Sequence, residues 1–303
     1  MPSRLIINAD DFGLTLGINR AVAELHAAGA LTSATLMACG DAFDNAVEIA
    51  KAYPALGVGC HIVLVDGTPT APPSEVSTML QPGTGKLRSS LVDFLIALHR
   101  GRIDPAHIEI EATAQMRKLQ SAGLTLTHFD THKHTHVFPH AAIPLFRAAT
   151  TCGIHSIRNP YEPRWSASVT GSRLRRAVLN VIHRSDISKS FFSLPEIVSR
   201  QIRTSDGCIG VSATGSLNKE SLRSILSLLP DHGTYELVTH PGYNDADLGL
   251  ISTTLRHQRE IEREALTQGI PASGQALTTF ANLDDGRATS ITSTGANEYP
   301  STF

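Results

Sequence analysis

Leu5-Ile6-Ile7-Asn8-Ala9-Asp10-Asp11-Phe12-Gly13 is a short apolar, β-branched-rich run that breaks into a polar, glycine-containing end. Such a stretch suits a buried strand leading into a loop. Behind it, Ile18, Val22 and Leu25 recur at helical spacing and Gly29 supplies a stop signal, so a helix follows the strand. The unit then repeats along the chain. Strands are expected over Ala34–Ala38, Leu56–Val65, Leu124–Phe129, Ser156–Ile157, Cys208–Val211 and Tyr235–Val238. Helices are expected over Ala42–Tyr53, Leu91–His99, Ala106–Ala122, Ala141–Ala149, Leu174–Ile182, Lys219–Leu229 and Thr254–Thr267. Residues 66–90 are rich in Pro, Gly, Ser and Thr without periodicity and read as a long loop, a kind of segment that often carries function. Strand alternating with helix implies an α/β architecture with a mostly parallel sheet, either closed as a barrel or open and doubly wound.

A chain of 303 residues with 41% hydrophobic and 18% charged residues has the composition of a globular protein, and α/β barrels of this length form one domain. A formal net charge of −2 lacks the basic excess that gripping a phosphate backbone requires, which argues against a nucleic-acid partner. Cys39, Cys60, Cys152 and Cys208 form no C-x-x-C pair and read as reduced, packed thiols. No run reaches the roughly 18 apolar residues needed to span a bilayer. The apolar run at Leu5 is followed at once by Asp10-Asp11, with no room for a signal peptide, so a cytoplasmic location is expected. Residues 1–283 are read as the folded domain and 284–303 as a polar, mobile tail. The sequence leaves a homo-oligomer open.

Chemistry-bearing residues gather where apolar runs end, and in an alternating strand-helix fold those ends face a common crevice. Asp10 and Asp11 would point oppositely on an extended backbone, whereas a turn would bring both to one mouth, one to bind a cation and the other to take a proton. The plainer alternative is a helix cap or Asx turn. His61 interrupts the apolar Gly57-Val58-Gly59-Cys60-His61-Ile62 and is either a ligand or a hydrogen-bonded core histidine. Asp130, His132, His134 and His136 alternate with Thr and Lys and would share one face of a strand. Their spacing of roughly 6–7 Å lets one or two bind an ion while the others orient or line the cleft. His240, in Thr239-His240-Pro241-Gly242, is a candidate proton donor or a histidine packed beside a turn. Arg158 would steady an oxyanion or substrate hydroxyl, or make a surface ion pair. The basic stretch with Arg173, Arg175, Arg176 and Arg184 reads as a solvated helix face rather than a membrane-surface patch.

Taken together, Asn8-Ala9-Asp10-Asp11-Phe12-Gly13, Gly59-Cys60-His61, Thr127 to His134 and Thr239-His240-Pro241 resemble the YdjC-like carbohydrate deacetylases, a group with chito-oligosaccharide and hopanoid-biosynthesis branches. The resemblance spans roughly residues 4–283. It implies a distorted (β/α) TIM-like barrel and metal-dependent removal of acetyl from an N-acetylated sugar. It further implies Asp11, His61 and His132 as metal ligands, Asp10 as base and His240 as acid. Asp130, His134 and Arg158 remain candidates for substrate contact or for orienting those residues. Magnesium is the metal the resemblance implies, while two imidazoles and a carboxylate suit zinc. A metal-dependent phosphoesterase or amidohydrolase is the rival enzyme, and a noncatalytic carbohydrate-binding protein the rival of another class.

Overall fold

The computed structural model describes residues 2–169, 186–251 and 253–283. Nine strands among them form one sheet: β1 Arg4–Phe12, β2 Ser33–Leu36, β3 Gly57–Ile62, β4 His128–Thr131, β5 Ser156–Ile157, β6 Arg203–Thr204, β7 Gly207–Ile209, β8 Thr234–Thr239 and β9 Ala276–Leu277. Their spatial order is β6-β5-β4-β3-β2-β1-β8-β7, with β9 added to β1 at Arg4 and Leu5, and the pairings are parallel. β6 and β7 lie at the two ends of that order, yet only Ser205 and Asp206 separate them in the chain. A sheet whose edges are tied by so short a link has to curl. The result is a nearly closed parallel barrel, which decides between the two architectures the pattern allowed. Because all strands run one way, their carboxyl ends open on a single mouth.

β1 is the central stave. Apart from Arg4 it is buried throughout, since barrel strands are covered on both faces, and its Leu5, Ile7, Ala9 and Phe12 belong to the main apolar core. Helices wrap the outside. Thr15 caps the helix Leu16–Ala27 by accepting the N–H of Ile18 at 3.3 Å, and Asn218 forms a capping box with Ser221 at the start of Lys219–Ser227. No described helix is long and apolar enough to cross a membrane.

Most elements fall within a few residues of expectation, and Leu91–His99 coincides with it. The alternating run from Leu124 is only a lead-in: pairing with β3 begins at His128 opposite Gly59, so β4 extends to Thr131 instead of ending at Phe129. The helices Arg164–Ala167, Pro195–Val198 and Ala246–Gly249, four residues each, are too short to leave a periodic signal. The long loop holds two 3-10 turns, Pro73–Glu75 and Ser77–Met79, and is pinned by the buried Glu111 carboxylate, which accepts the N–H groups of Thr70 and Ala71 at 2.8 and 3.0 Å. The expected helix over Leu174–Ile182, the four arginines around it and the tail from Asp284 lie outside the described residues.

Candidate metal centre and its charged surroundings

At the end of β1 the pairing with β2 shifts register between Ala9 and Phe12, and Asp11 adopts a left-handed backbone with φ of 63°. That local turn allows two adjacent aspartates to serve one mouth; an unbroken pleat would separate them. Both are nearly fully buried.

Asp11, His61 and His132 come together. Asp11 Oδ1 lies 3.5 Å from His61 Nε2 and 3.5 Å from His132 Nδ1, and the two ring nitrogens are 3.4 Å apart. Ligand atoms about 2.1 Å from one ion are about 3.4 Å apart in tetrahedral geometry and about 3.0 Å when adjacent in octahedral geometry. The triangle therefore fits a single cation. The second donor atoms of Asp11 and His61 are already committed. Asp11 Oδ2 accepts from Arg259 Nη2 at 2.5 Å, and His61 Nδ1 donates to Asp130 Oδ1 at 2.7 Å, a bond that fixes the tautomer leaving Nε2 free for the triangle. Thr35 Oγ1 braces the same carboxylate by donating to Asp130 Oδ2 at 3.1 Å. Burial alone would lower the pKa of His61, but Asp130, Asp10 and Asp11 raise it to about 9. The same negative field would attract a divalent cation, whose binding displaces that proton. For Asp11, burial works to raise the pKa, and Arg259 and the two histidines hold it well below the usual range.

The histidine cluster departs from expectation. β4 stops at Thr131, and His132–Val137 turns in a 3-10 segment in which Lys133 and His134 take φ of 57° and 52°. Asp130, His132, His134 and His136 thus do not share a strand face. Asp130 lies in the sheet opposite His61, and His132 completes the triangle. His136 is buried, with its N–H and ring both bonded to Thr131 Oγ1. His134 is half-buried with its ring centroid 5.8 Å from that of His136, and burial, with Arg158 adding to it, lowers its pKa to about 4. Lys133 ties the turn to the long loop through Asp66 at 2.7 Å.

Arg158 makes no surface pair and has no exposure to offer a substrate. Its Nη1 and Nη2 grip the two oxygens of Asp10 at 2.8 and 2.5 Å, Nη1 also lies 2.7 Å from Asp130 Oδ2, and Nε donates to Glu236 Oε1 at 2.7 Å. Burial would raise the pKa of Asp10; the guanidinium outweighs it and holds the carboxylate ionised. Glu236 goes the other way: burial raises it to about 8 despite Arg158, so it carries a proton at neutral pH. His240 stands at the end of β8 with Nε2 3.8 Å from Asp10 Oδ2. Burial lowers its pKa to about 4 although Asp10 and Asp11 oppose the shift, so the resting ring is neutral.

Glu236, Arg259 and Glu262 were not anticipated. Glu236 interrupts the apolar run of β8, and Arg259 and Glu262 occupy the buried stripe of the helix Arg256–Gly269 together with Ala265 and Leu266. A charge on an otherwise apolar face was the available signal.

The sequence profile described as YdjC-like protein matches residues 4–271. Proteins named carbohydrate deacetylase align over most of the chain. That of Brevibacillus brevis is 31% identical, covering 92% of this chain and 99% of the relative, and that of Geobacillus stearothermophilus is 32% identical, covering 88% and 90%. Among solved structures, a candidate cellobiose-phosphate cleavage protein from Enterococcus faecalis V583 superposes with a TM-score of 0.74 at 22% identity, covering 92% of this chain and 98% of that one, which shows a shared fold.

Proposed function

The chain belongs to the YdjC-like family, and on that premise we propose that it is a metal-dependent hydrolase that removes acetyl from an N-acetylated sugar and releases acetate. The observation that carries this reading is the triangle of Asp11, His61 and His132 beside the Asp10–His240 pair. The names of the relatives support the substrate class. Asp11, His61 and His132 would hold a divalent ion. Such an ion, when bound, lowers the pKa of a water and polarises a carbonyl oxygen.

Asp10, kept ionised and clamped at both oxygens by Arg158, takes the proton of the attacking water. A carboxylate held this acidic retains that proton poorly, and the neutral Nε2 of His240 lies 3.8 Å away to receive it. The imidazolium then donates to the departing sugar nitrogen, which leaves as an amine. This order accounts for a proton donor that begins neutral. Arg158 and Asp130 act through Asp10 and His61, while His134, half-buried at the same mouth, remains the substrate-contact candidate. The two imidazole donors and the 3.4–3.5 Å spacing favour zinc, whereas the family resemblance implies magnesium. Four free cysteines accord with a reducing, cytoplasmic setting. The phosphoesterase, amidohydrolase and noncatalytic readings draw no observation of their own.

The test is Asp10→Asn assayed for acetate release from N-acetylglucosamine oligomers, with bound metal measured on the same sample. Loss of release with metal content retained is expected. An active variant would remove Asp10 from the reaction.

A further inference from the structure

The helix Arg256–Gly269 sends two charged side chains, one turn apart, into the barrel mouth: Arg259 and Glu262, each 1% exposed. Arg259 goes to Asp11, and Glu262 goes to His240. Glu262 Oε2 accepts the backbone N–H of His240 at 2.7 Å and lies 4.0 Å from its ring Nδ1. Among the described residues that Nδ1 is buried without a hydrogen-bond partner, while Nε2 on the far side of the ring faces Asp10. A buried polar atom left unmatched is destabilising. A small ring rotation that closes 4.0 Å to hydrogen-bond length would satisfy it, using an oxygen already anchored to the same residue's backbone.

We propose that Glu262 is the positioning residue for His240: it accepts the Nδ1–H and so keeps the Nε2 lone pair aimed at Asp10. The inference rests on the reading of His240 as the group that carries the proton to the leaving amine. A neutral imidazole has one N–H, and whichever nitrogen is held by an acceptor keeps it. With the hydrogen on Nδ1, Nε2 can receive the proton that Asp10 took from water and pass that same proton to the amine. Nδ1–H never leaves, and the ring returns to its starting tautomer. The opposite tautomer would present Nε2–H to Asp10 and block the transfer.

The charges facing His240 come from three sides: Asp10 and Asp11 at the end of β1, Arg158 after β5, and Arg259 and Glu262 on the helix. Burial raises Glu262 to about 7, against the pull of the His240 N–H and Arg259. Glu262→Leu removes both acceptor oxygens without emptying the site.

The experiment compares full-length wild type, Glu262→Leu and Glu262→Asp by two-bond 1H–15N correlation of the histidine rings. His240 is assigned from a His240→Gln sample, and acetate release is followed in parallel. The expected result is an Nδ1–H tautomer in wild type that is lost or mixed in Glu262→Leu. kcat should fall by about 10- to 100-fold with KM little changed, and Glu262→Asp should recover part of both. An unaltered tautomer in Glu262→Leu, or an unaltered kcat, would overturn the proposal. The spectrum needs no substrate. If no acetate is released by any form, the deacetylase reading fails and the tautomer alone decides the role of Glu262. If Glu262→Leu does not fold, Glu262→Ala carries the same comparison, with an unaltered tautomer or an unaltered kcat again counting against the proposal.

Discussion

Replacing Arg158 with alanine would expose how much of this barrel is held together at its mouth. The guanidinium touches Asp10 twice, Asp130 once and Glu236 through Nε and Nη2, at 2.5–2.8 Å, with no solvent exposure. Removing one partner of a buried ion pair costs about 3–5 kcal/mol, because the other is left charged and unpaired. Three carboxyls lose their partner here, but the costs do not add. Glu236, with its pKa already up to about 8, becomes fully neutral, and Asp130 keeps His61 and Thr35. Asp10 is left worst off, retaining Asn8 at 2.9 Å and the more distant His240. The expected loss is therefore that of one broken buried pair, about 3–5 kcal/mol at pH 7.5. It should shrink toward pH 5. Without the arginine, burial pushes the folded-state pKa of Asp10 above its unfolded value, so the variant's stability is present at low pH and lost as pH rises through that raised value. Wild-type Asp10, whose pKa is depressed, shows no such loss in this window. Urea unfolding of metal-free protein at pH 5 and pH 7.5 measures both numbers, and removing metal keeps ligand linkage out of the comparison. A difference below about 1 kcal/mol at pH 7.5, or one equal at both pH values, would show that the cluster is not the buried ionic network described.

Glu236→Gln should gain stability relative to wild type as pH rises from 5 to 8, by up to roughly 1.4 kcal/mol per pH unit. The wild-type carboxyl, raised to about 8, contributes stability that is lost across that interval, and glutamine does not titrate; parallel urea curves would contradict this. Gly59→Ala would place a Cβ 2.5–2.7 Å from the ring of His128, which stacks on Phe280 at 3.8 Å. Overpacking of that kind costs about 1–3 kcal/mol, read as a lower urea midpoint at unchanged slope, and an unmoved midpoint would show that the stack yields freely.

Asp10, Asp11, His61, His132 and His240 were legible because each stands at or near a strand end, and a parallel barrel gathers those ends at one mouth. The arrangement of His134 and His136 was not, because it depends on left-handed backbone at Lys133 and His134, which nothing in their residue types announces. Arg158 looked like a surface pair because its three acidic partners lie in other strands, Asp10 being 148 residues away. Arg259 meets Asp11 across 248 residues, a pairing that helical periodicity alone cannot reveal. Local pattern gave the alternation of strand and helix, while closure of the barrel became visible only when β6 and β7 were found at opposite ends of the strand order.

Protein stripped of metal and reconstituted separately with zinc and magnesium should be assayed for acetate release from N-acetylglucosamine oligomers, with His132→Ala alongside. The account requires release only after a metal is restored to wild type, and neither stoichiometric metal nor release in His132→Ala. Release from stripped wild type, or an active His132→Ala, would mean that Asp11, His61 and His132 do not form the centre on which the chemistry depends.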